Sequence, residues 1–361
     1  MTACDKPEAT APSRDFGILQ PAFEAIRTNC HISDARHAGD YTLCVYLLKM
    51  REYFRWENNI PFSTPLPQQE LSDWLTQREA HWETLEDKSL ETVPVPDGEH
   101  DPFDTTAINA DLNDRGFAYS SGYGRNLKPV FFFAELERRE QHEGYTLIVA
   151  GEEYARDLAA PPAMNREQTI YIRRESLRRM LWEKVEEWRW NQPANAMRSA
   201  IRCYDFDNAA ERSLEEMTET ELHTALLHEI GEVEAGKRLG GEWEEMLAAM
   251  SPSKAEIMLR AVRDNLADCL VTLPALLQTA KPAALHFYIG NLSNMRKTLF
   301  PALVSAYDDW TVSGNTRNLQ ALAARASGHW QSLALGLLDT FSRHGPDCRQ
   351  TLVGSIEHNT Y

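Results

Sequence analysis

The sequence has no uninterrupted apolar stretch approaching the roughly 20 residues that a membrane-spanning helix requires. A transmembrane protein is therefore not expected. Basic residues are also scarce, because 37 Lys and Arg stand against 54 Asp and Glu and leave a formal net charge of -17. A surface this acidic repels a phosphate backbone, so we expect neither nucleic acid nor a membrane as a partner.

Recognisable cofactor motifs are missing as well. The six cysteines form no CxxC pair, which argues against a thiolate zinc site. The glycines of the GYGR turn, Gly122 to Arg125, match neither the P-loop nor the Rossmann fingerprint, and we interpret them as residues flanking a hairpin. The opening residues MTACDKPEATAPSRD lack the basic start and apolar core of a signal peptide. The sequence thus predicts a reduced, cytoplasmic protein without a nucleotide cofactor.

The chain has the composition of an ordinary globular protein, with 43% hydrophobic and 25% charged residues over 361 positions. Its hydrophobic periodicity predicts a mainly α fold, with a helical bundle-like core and a small β-hairpin or sheet insert. Ser33 is the expected N-cap of a helix running through Arg55, and the segment TVPVPDGEHDPFD is typical of a linker. The predicted organisation is a disordered tail, an N-terminal helical region, a β-containing insert and a C-terminal helical region that packs with the N-terminal helices: residues 1–15, 16–95, 96–168 and 169–361.

Two β-rich runs stand out within the insert. PVFFFAELE and YTLIVAG are separated by a polar turn that includes Glu143 and Gly144. This arrangement predicts a β-hairpin. An isolated hairpin is marginal in water, so we expect it to be covered on both faces.

The segment LLHEIGE carries the most informative polar pattern. On a helix, His228 and Glu232 are four residues apart, and Glu229 and Glu232 are three apart. An imidazole and two carboxylates on one face can converge on a single cation. The alternative is that these residues are solvent-facing charges on an amphipathic helix.

Three other helical segments carry candidate polar residues. His37 follows His31 and Asp34 in HISDARH, where the alternative is a helix start rich in polar caps. Asp264 and Asp268 stack four residues apart, where the alternative is a surface ion pair between Arg260 and Asp264. His286, in HFYIGN with Arg296 beyond it, is a candidate ligand or a buried core histidine.

Bundle proteins hold metals between facing helices through residues of these types. We therefore predict a metal-dependent enzyme acting on a small-molecule substrate, either a di-iron oxidase or oxygenase or a hydrolase. A divalent metal ion, Fe or Mn, is the expected cofactor. The predicted metal ligands are His37, His228, Glu232 and His286. The predicted catalytic residues are Glu229, Asp264 and Asp268.

LLHEIGE resembles the core of the HD-domain metal phosphohydrolases, although Glu229 stands where that family has Asp. The resemblance implies a metal that polarises a phosphoryl oxygen and activates water. A second resemblance spans nearly the whole chain. The segments HISDARHAGDYTLCVYLLKMREYFRWE, GEEYARDLAAPPAM and LLHEIGEVEAGKRLG resemble a family of bacterial proteins of unassigned function. A non-catalytic scaffold that binds a partner through Trp182, Trp188, Trp190 and Trp243 is the remaining alternative.

Overall fold

The computed structural model describes residues 16–124, 127–166, 168–279 and 281–361. The predicted tail, residues 1–15, and Arg125 of the GYGR turn lie outside the described residues. The chain divides into two units, Met1–Pro161 and Pro162–Tyr361. The fold is mainly α with a smaller β part, as predicted. Among the described residues, no helix combines the length and the hydropathy of a membrane-spanning segment.

The first unit combines four helices of the described chain with five strands. The helices are α1 (Phe16–His37), α2 (Leu43–Glu57), α3 (Gln68–Glu83) and α4 (Thr105–Leu112). The strands are β1 (Val93–Val95), β2 (Gly98–His100), β3 (Phe117–Tyr123), β4 (Pro129–His142) and β5 (Tyr145–Arg156).

The predicted hairpin is confirmed and is longer than the two apolar runs. β4 and β5 are antiparallel and close at the pair His142 and Tyr145, with Gly144 in the turn at a φ of 89°. Such a positive φ favours glycine. Phe131 and Phe133 pack with α1 residues in one buried cluster, and Phe132, which points to the opposite side of the strand, is buried too.

Two local expectations for the first unit are wrong. Ser33 is not an N-cap but lies inside α1, where its hydroxyl donates to the carbonyl oxygen of Pro129. The serine is satisfied by tertiary structure, so the helix continues past it. The expected linker contains the antiparallel pair β1 and β2, and Val93 and Val95 are buried. Pro96 and Asp97 form the two-residue turn between the strands, and the alternating valines supply the buried face.

The second unit opens with a hairpin and continues as helices. The strands are β6 (Ala163–Arg166) and β7 (Thr169–Arg173), which pair antiparallel. The helices that follow are α5 (Arg174–Asn191), α6 (Ala196–Ile201), α7 (Ala210–Leu239), α8 (Glu242–Met250), α9 (Lys254–Ala267), α10 (Leu273–Thr279), α11 (Pro282–Asn291), α12 (Asn294–Leu299), α13 (Pro301–Ser313), α14 (Arg317–His344) and α15 (Arg349–His358).

The second unit has its own hydrophobic core, in which α14 buries Trp330 and α8 buries Trp243. Its α9 does not end in the usual way but passes into a π-helical turn, Asp268–Thr272, before α10 begins. Such turns widen a helix by one residue and often occur at functional sites. The turn brings Asp268, which is fully buried, into the interior of this unit.

The close approach of α7 to the π-helical turn depends on a glycine. A Cβ atom at Gly231 would lie 2.6 Å from the carbonyl oxygen of Ala267. No side chain fits there without a shift of backbone. Gly231 therefore sets the distance at which α7 can present His228 to Asp268.

The predicted packing of residues 169–361 with the N-terminal helices stays a prediction. Of the four tryptophans in the scaffold alternative, Trp182 and Trp243 are buried and Trp190 is 86% exposed.

Candidate functional site

The second unit contains a cavity of about 230 Å³. Its wall combines apolar side chains with polar groups from α7, the π-helical turn, α11 and α12. The polar lining residues include Glu221, Thr224, His228, Glu229, Asp268, Thr272, Tyr288, Asn291 and Arg296.

One face of α7 supplies four of these groups. Glu221, Thr224 and His228 follow one another at steps of three and four residues, and Glu229 lies beside His228. Residues at such steps share a face of a helix, and the face here turns toward the cavity. The alternative that the charged residues of LLHEIGE face solvent is wrong for Glu229, which is 8% exposed, and Glu221 on the same helix is 2% exposed.

The imidazole of His228 is held between two carboxylates. Its Nδ1 lies 2.8 Å from Oδ1 of Asp268, and its Nε2 lies 3.5 Å from Oε1 of Glu232. Burial alone lowers the pKa of His228, but the charge of Asp268 and the hydrogen bonds to both carboxylates outweigh burial and raise the pKa well above its usual value. The raised pKa favours the imidazolium form, in which Nδ1 donates to Asp268 and Nε2 carries a proton on the side of Glu232.

Asp268 accepts hydrogen bonds from four different side chains. Besides His228, they are Tyr288 through its hydroxyl at 2.8 Å, Thr272 through Oγ1 at 2.8 Å and Arg296 through its guanidinium. Burial would raise the pKa of Asp268, but Arg296 and His228 outweigh it and hold the pKa below its ordinary value. Asp268 is thus a charged and fully hydrogen-bonded anion.

Glu232 belongs to the outer side of this network. Oε1 of Glu232 lies 3.0 Å from Arg263, and the hydrogen bond to His228 and the charge of Arg263 outweigh burial to lower its pKa to about 2. Arg263 also reaches Glu244 at 3.2 Å and Asp264 at 3.6 Å. Burial raises the pKa of Asp264 in spite of its neighbours Arg296 and Arg263.

Glu229 and Glu221 differ from these ion-paired carboxylates. Burial and the negative charge of Glu232 raise the pKa of Glu229 to about 7, against the opposing effect of His228 and Arg263. Burial raises the pKa of Glu221 to about 8, with Thr224 and Lys281 opposing it. Both groups line the cavity and titrate close to neutral pH, as general acids and bases do.

Two family models match the chain, and together they cover most of its length. Residues 22–173 match the N-terminal domain of a family of unknown function (DUF6866), and residues 178–359 match its C-terminal domain. The chain belongs to this family. The predicted resemblance to a family without assigned function is confirmed. No curated protein matches the chain, and no solved structure does.

In this member of the DUF6866 family, the structure brings together five of the seven predicted site residues. His228, Glu232, Asp264 and Asp268 form one network, with Glu229 beside it. Arg260 pairs with Glu256 at 2.9 Å, so the alternative pair between Arg260 and Asp264 is not formed.

The other two predicted residues lie in different surroundings. Nδ1 of His286 lies 2.7 Å from the Tyr307 hydroxyl, and its ring packs against Tyr307 and Trp310. His37 is in the first unit, where its Nδ1 lies 3.0 Å from Oδ2 of Asp40. The roles of both histidines as metal ligands stay predictions.

Sequence reasoning did not single out Glu221 or Thr272 for this site. Glu221 precedes His228 by seven residues, which is two helical turns, and that spacing was the available signal. Thr272 faces Asp268 because the π-helical turn places it there, and the sequence has no comparable signal for that turn.

The donor set of this network does not complete a metal site. Within the described ranges, no group of three or more His, Cys, Asp or Glu side chains is placed to hold one ion. Asp268 has its acceptor positions occupied by four donors, so an ion would have to replace the proton of His228 Nε2 and bind between that nitrogen and Glu232. These two ligands do not make a complete site.

Proposed function

We propose that the second unit is an enzyme that binds a small molecule in the cavity and transfers a proton to or from it. Glu229 is the proposed general acid–base. The observation that carries the proposal is the position of this buried carboxyl group on the cavity wall, directly beside an imidazolium that is fixed by Asp268. Its pKa of about 7 supports the role, because both protonation states are then populated at neutral pH.

The groups around Glu229 have distinct parts in this proposal. His228 supplies a fixed positive charge next to the cavity, which would stabilise negative charge developing on the substrate after proton loss. Asp268 holds His228 in place, and Arg296, Tyr288 and Thr272 in turn hold Asp268. A charge fixed in this way costs no reorganisation during the reaction.

The test is a comparison of the wild type with Glu229→Gln on a defined mixture of small amines, amino acids and amides in D₂O. Mass spectrometry then detects products and deuterium incorporated into the substrates. We expect the wild type to exchange or convert at least one component, and Glu229→Gln to lose about 100-fold or more of that rate. Glu245→Gln, which removes an exposed glutamate of α8, is the matched control. A Glu229→Gln rate equal to that of the control would overturn the proposal.

Metal-dependent chemistry at the same network is our second proposal. Its support is the contact of Asp268 with Nδ1 of His228, since carboxylates orient metal-binding histidines in this way and leave Nε2 for the ion. The test is elemental analysis of protein purified without chelators. Iron near two per chain would favour a di-iron enzyme, and manganese or magnesium would favour phosphohydrolysis. Metal content that is unchanged in His228→Gln would contradict both.

We further propose that the protein resides in the cytoplasm and does not bind nucleic acid. The thiols of Cys44, Cys203, Cys269 and Cys348 are not in disulfides, which is usual in a reducing compartment. The net charge of -17 disfavours a polyanionic partner. Cell fractionation and a DNA-binding assay at low salt test these two points.

A further inference from the structure

We propose that the Glu221 end of the cavity is a recognition subsite for a cationic nitrogen group of the ligand, such as a primary ammonium or a guanidinium. This inference rests on the proposed function, because it names the ligand class of the same cavity. It concerns recognition and assigns no chemical step to Glu221.

The first support is the set of unused hydrogen-bond acceptors at this end. Glu221 is 2% exposed, and neither of its carboxylate oxygens has a hydrogen-bond partner among the described residues. Thr224, three residues further along α7, lies near enough to favour ionised Glu221, yet its Oγ1 is not in hydrogen-bond geometry with any described partner. A buried carboxyl group without partners is costly, and proteins rarely retain one unless something else satisfies it.

The second support is that the basic side chains near the cavity already pair with other carboxylates. Arg296 and His228 are both directed to Asp268, and Arg263 is directed to Glu232. Lys281, just before α11, is the charged neighbour that stabilises ionised Glu221, yet burial outweighs it. Among the described residues, Glu221 thus has no ion pair at contact distance, whereas Asp268 in the same cavity wall has two.

A cationic ligand fits this end better than an anionic one. An ammonium group donates up to three hydrogen bonds and would supply the missing charge, whereas an anion brings only acceptors and leaves the oxygens of Glu221 without a donor. The apolar wall suits the carbon skeleton of such a ligand. It is formed by Ala163, Leu177, Met180, Phe287 and Leu292. Glu221 precedes Glu229 by eight residues, about 12 Å along the helix, so a ligand of that length reaches from the subsite to the proposed acid–base group.

The test uses three probes of the same shape, namely 2-phenylethylamine, 2-phenylethanol and phenylacetate. Isothermal titration with the wild type is expected to show the amine binding about tenfold or more tightly than the alcohol, and phenylacetate binding most weakly. Glu221→Gln should lose that preference. Glu216→Gln is the control, since it removes a carboxylate from the exposed side of the same helix.

A second measurement needs no variant. Near pH 7, most Glu221 side chains are protonated, and pairing with an ammonium ionises them. Amine binding should therefore release protons, which titrations in two buffers of different ionisation enthalpy detect. The charged and polar groups that act on Glu221 are Thr224 on its own helix, Lys281 and the phenol of Tyr204. Equal affinity for amine and alcohol, or a preference for phenylacetate, would overturn the subsite. So would amine binding that is unchanged in Glu221→Gln.

The subsite and the proposed function can fail separately. Amine binding that depends on Glu221, without any proton transfer that depends on Glu229, would retain the subsite and remove the enzyme proposal. Turnover that depends on Glu229, on substrates that carry no cationic group, would do the reverse.

Discussion

Each unit of this protein buries one aspartate side chain beside a basic group, but the two aspartates have different surroundings. In the first unit, Asp34 accepts from Lys128 at 2.7 Å and from the backbone N–H of Leu158 at 2.9 Å. In the second, Asp268 is the centre of a side-chain network on a cavity wall that also holds Glu221 and Glu229. Both are 0% exposed. Burial of charge alone therefore does not distinguish a structural ion pair from a candidate site.

The distinguishing feature is what the neighbouring carboxylates do. Next to Asp34, Asp157 accepts backbone N–H groups of Phe131, Ala159 and Ala160 at 2.7 to 3.1 Å. Burial lowers the pKa of Lys128, but Asp34 and Asp157 outweigh it and raise the pKa above its usual value. The acids of the first cluster thus join strands and loops to α1. Next to Asp268, in contrast, Glu221 retains unused acceptors.

The largest effect on stability is expected from a substitution in the cluster of the first unit, which consists of Asp34, Lys128 and Asp157. Asp34→Ala leaves the ammonium group of Lys128 buried beside a smaller negative charge, and removing one partner of a buried pair typically costs about 3–5 kcal/mol. We expect the free energy of unfolding in urea to fall by about that amount. Asp339→Asn, which breaks an exposed pair with Arg343, should cost less than about 0.5 kcal/mol. Equal losses in the two variants would show that Asp34 is not a structural residue.

Replacing Glu221 is expected to stabilise the protein, whereas replacing Asp34 destabilises it. Its pKa is raised from an ordinary 4.5 to about 8 in the folded protein, so the folded state binds more protons between these values and stability falls as pH rises through them. Glu221→Gln removes this loss. At about pH 9 the free energy of unfolding of the variant should exceed that of the wild type by about 2 kcal/mol or more. The difference should vanish near pH 4. Urea unfolding at both pH values measures it, and a variant destabilised at both would contradict the prediction.

These contrasts also show which parts of the site were visible in the sequence. The four-residue spacing of His228 and Glu232 and the hairpin around Gly144 were both predictable, because helix and strand periods are local properties. Tyr288 and Arg296 were noticed only beside His286. His286 and Tyr288 are two residues apart on α11 and so point in different directions, which explains why one faces Tyr307 and the other faces Asp268. The continuation of α1 through Ser33 depended on a distant carbonyl and had no local signal.

A smaller effect tests the packing that positions His228. Gly231→Ala places a methyl group 2.6 Å from the Ala267 carbonyl oxygen, and overpacking of this kind costs about 1–3 kcal/mol. Gly236→Ala, in the same helix, meets nothing within 4 Å and should stabilise by about 0.5–1 kcal/mol. Urea unfolding compares the two. NMR of the His228 ring should show a lowered pKa only in Gly231→Ala. Only in that variant does the added methyl group push α7 away from the π-helical turn and so move the imidazole away from Asp268.

The smallest effect concerns His37, the predicted ligand in the first unit. Its contact with Asp40 spans two partly exposed side chains, with 21% and 45% of their surfaces accessible, and such pairs contribute about 0–1 kcal/mol. His37→Gln should therefore change the free energy of unfolding by less than about 0.5 kcal/mol. His228→Gln should cost several times more, because it leaves the buried Asp268 with one charged partner fewer. Elemental analysis of the same two variants shows whether either histidine binds a metal ion, independently of its contribution to stability. Metal that is retained in His228→Gln but lost in His37→Gln would move the metal site to the first unit and reverse the contrast between the two clusters.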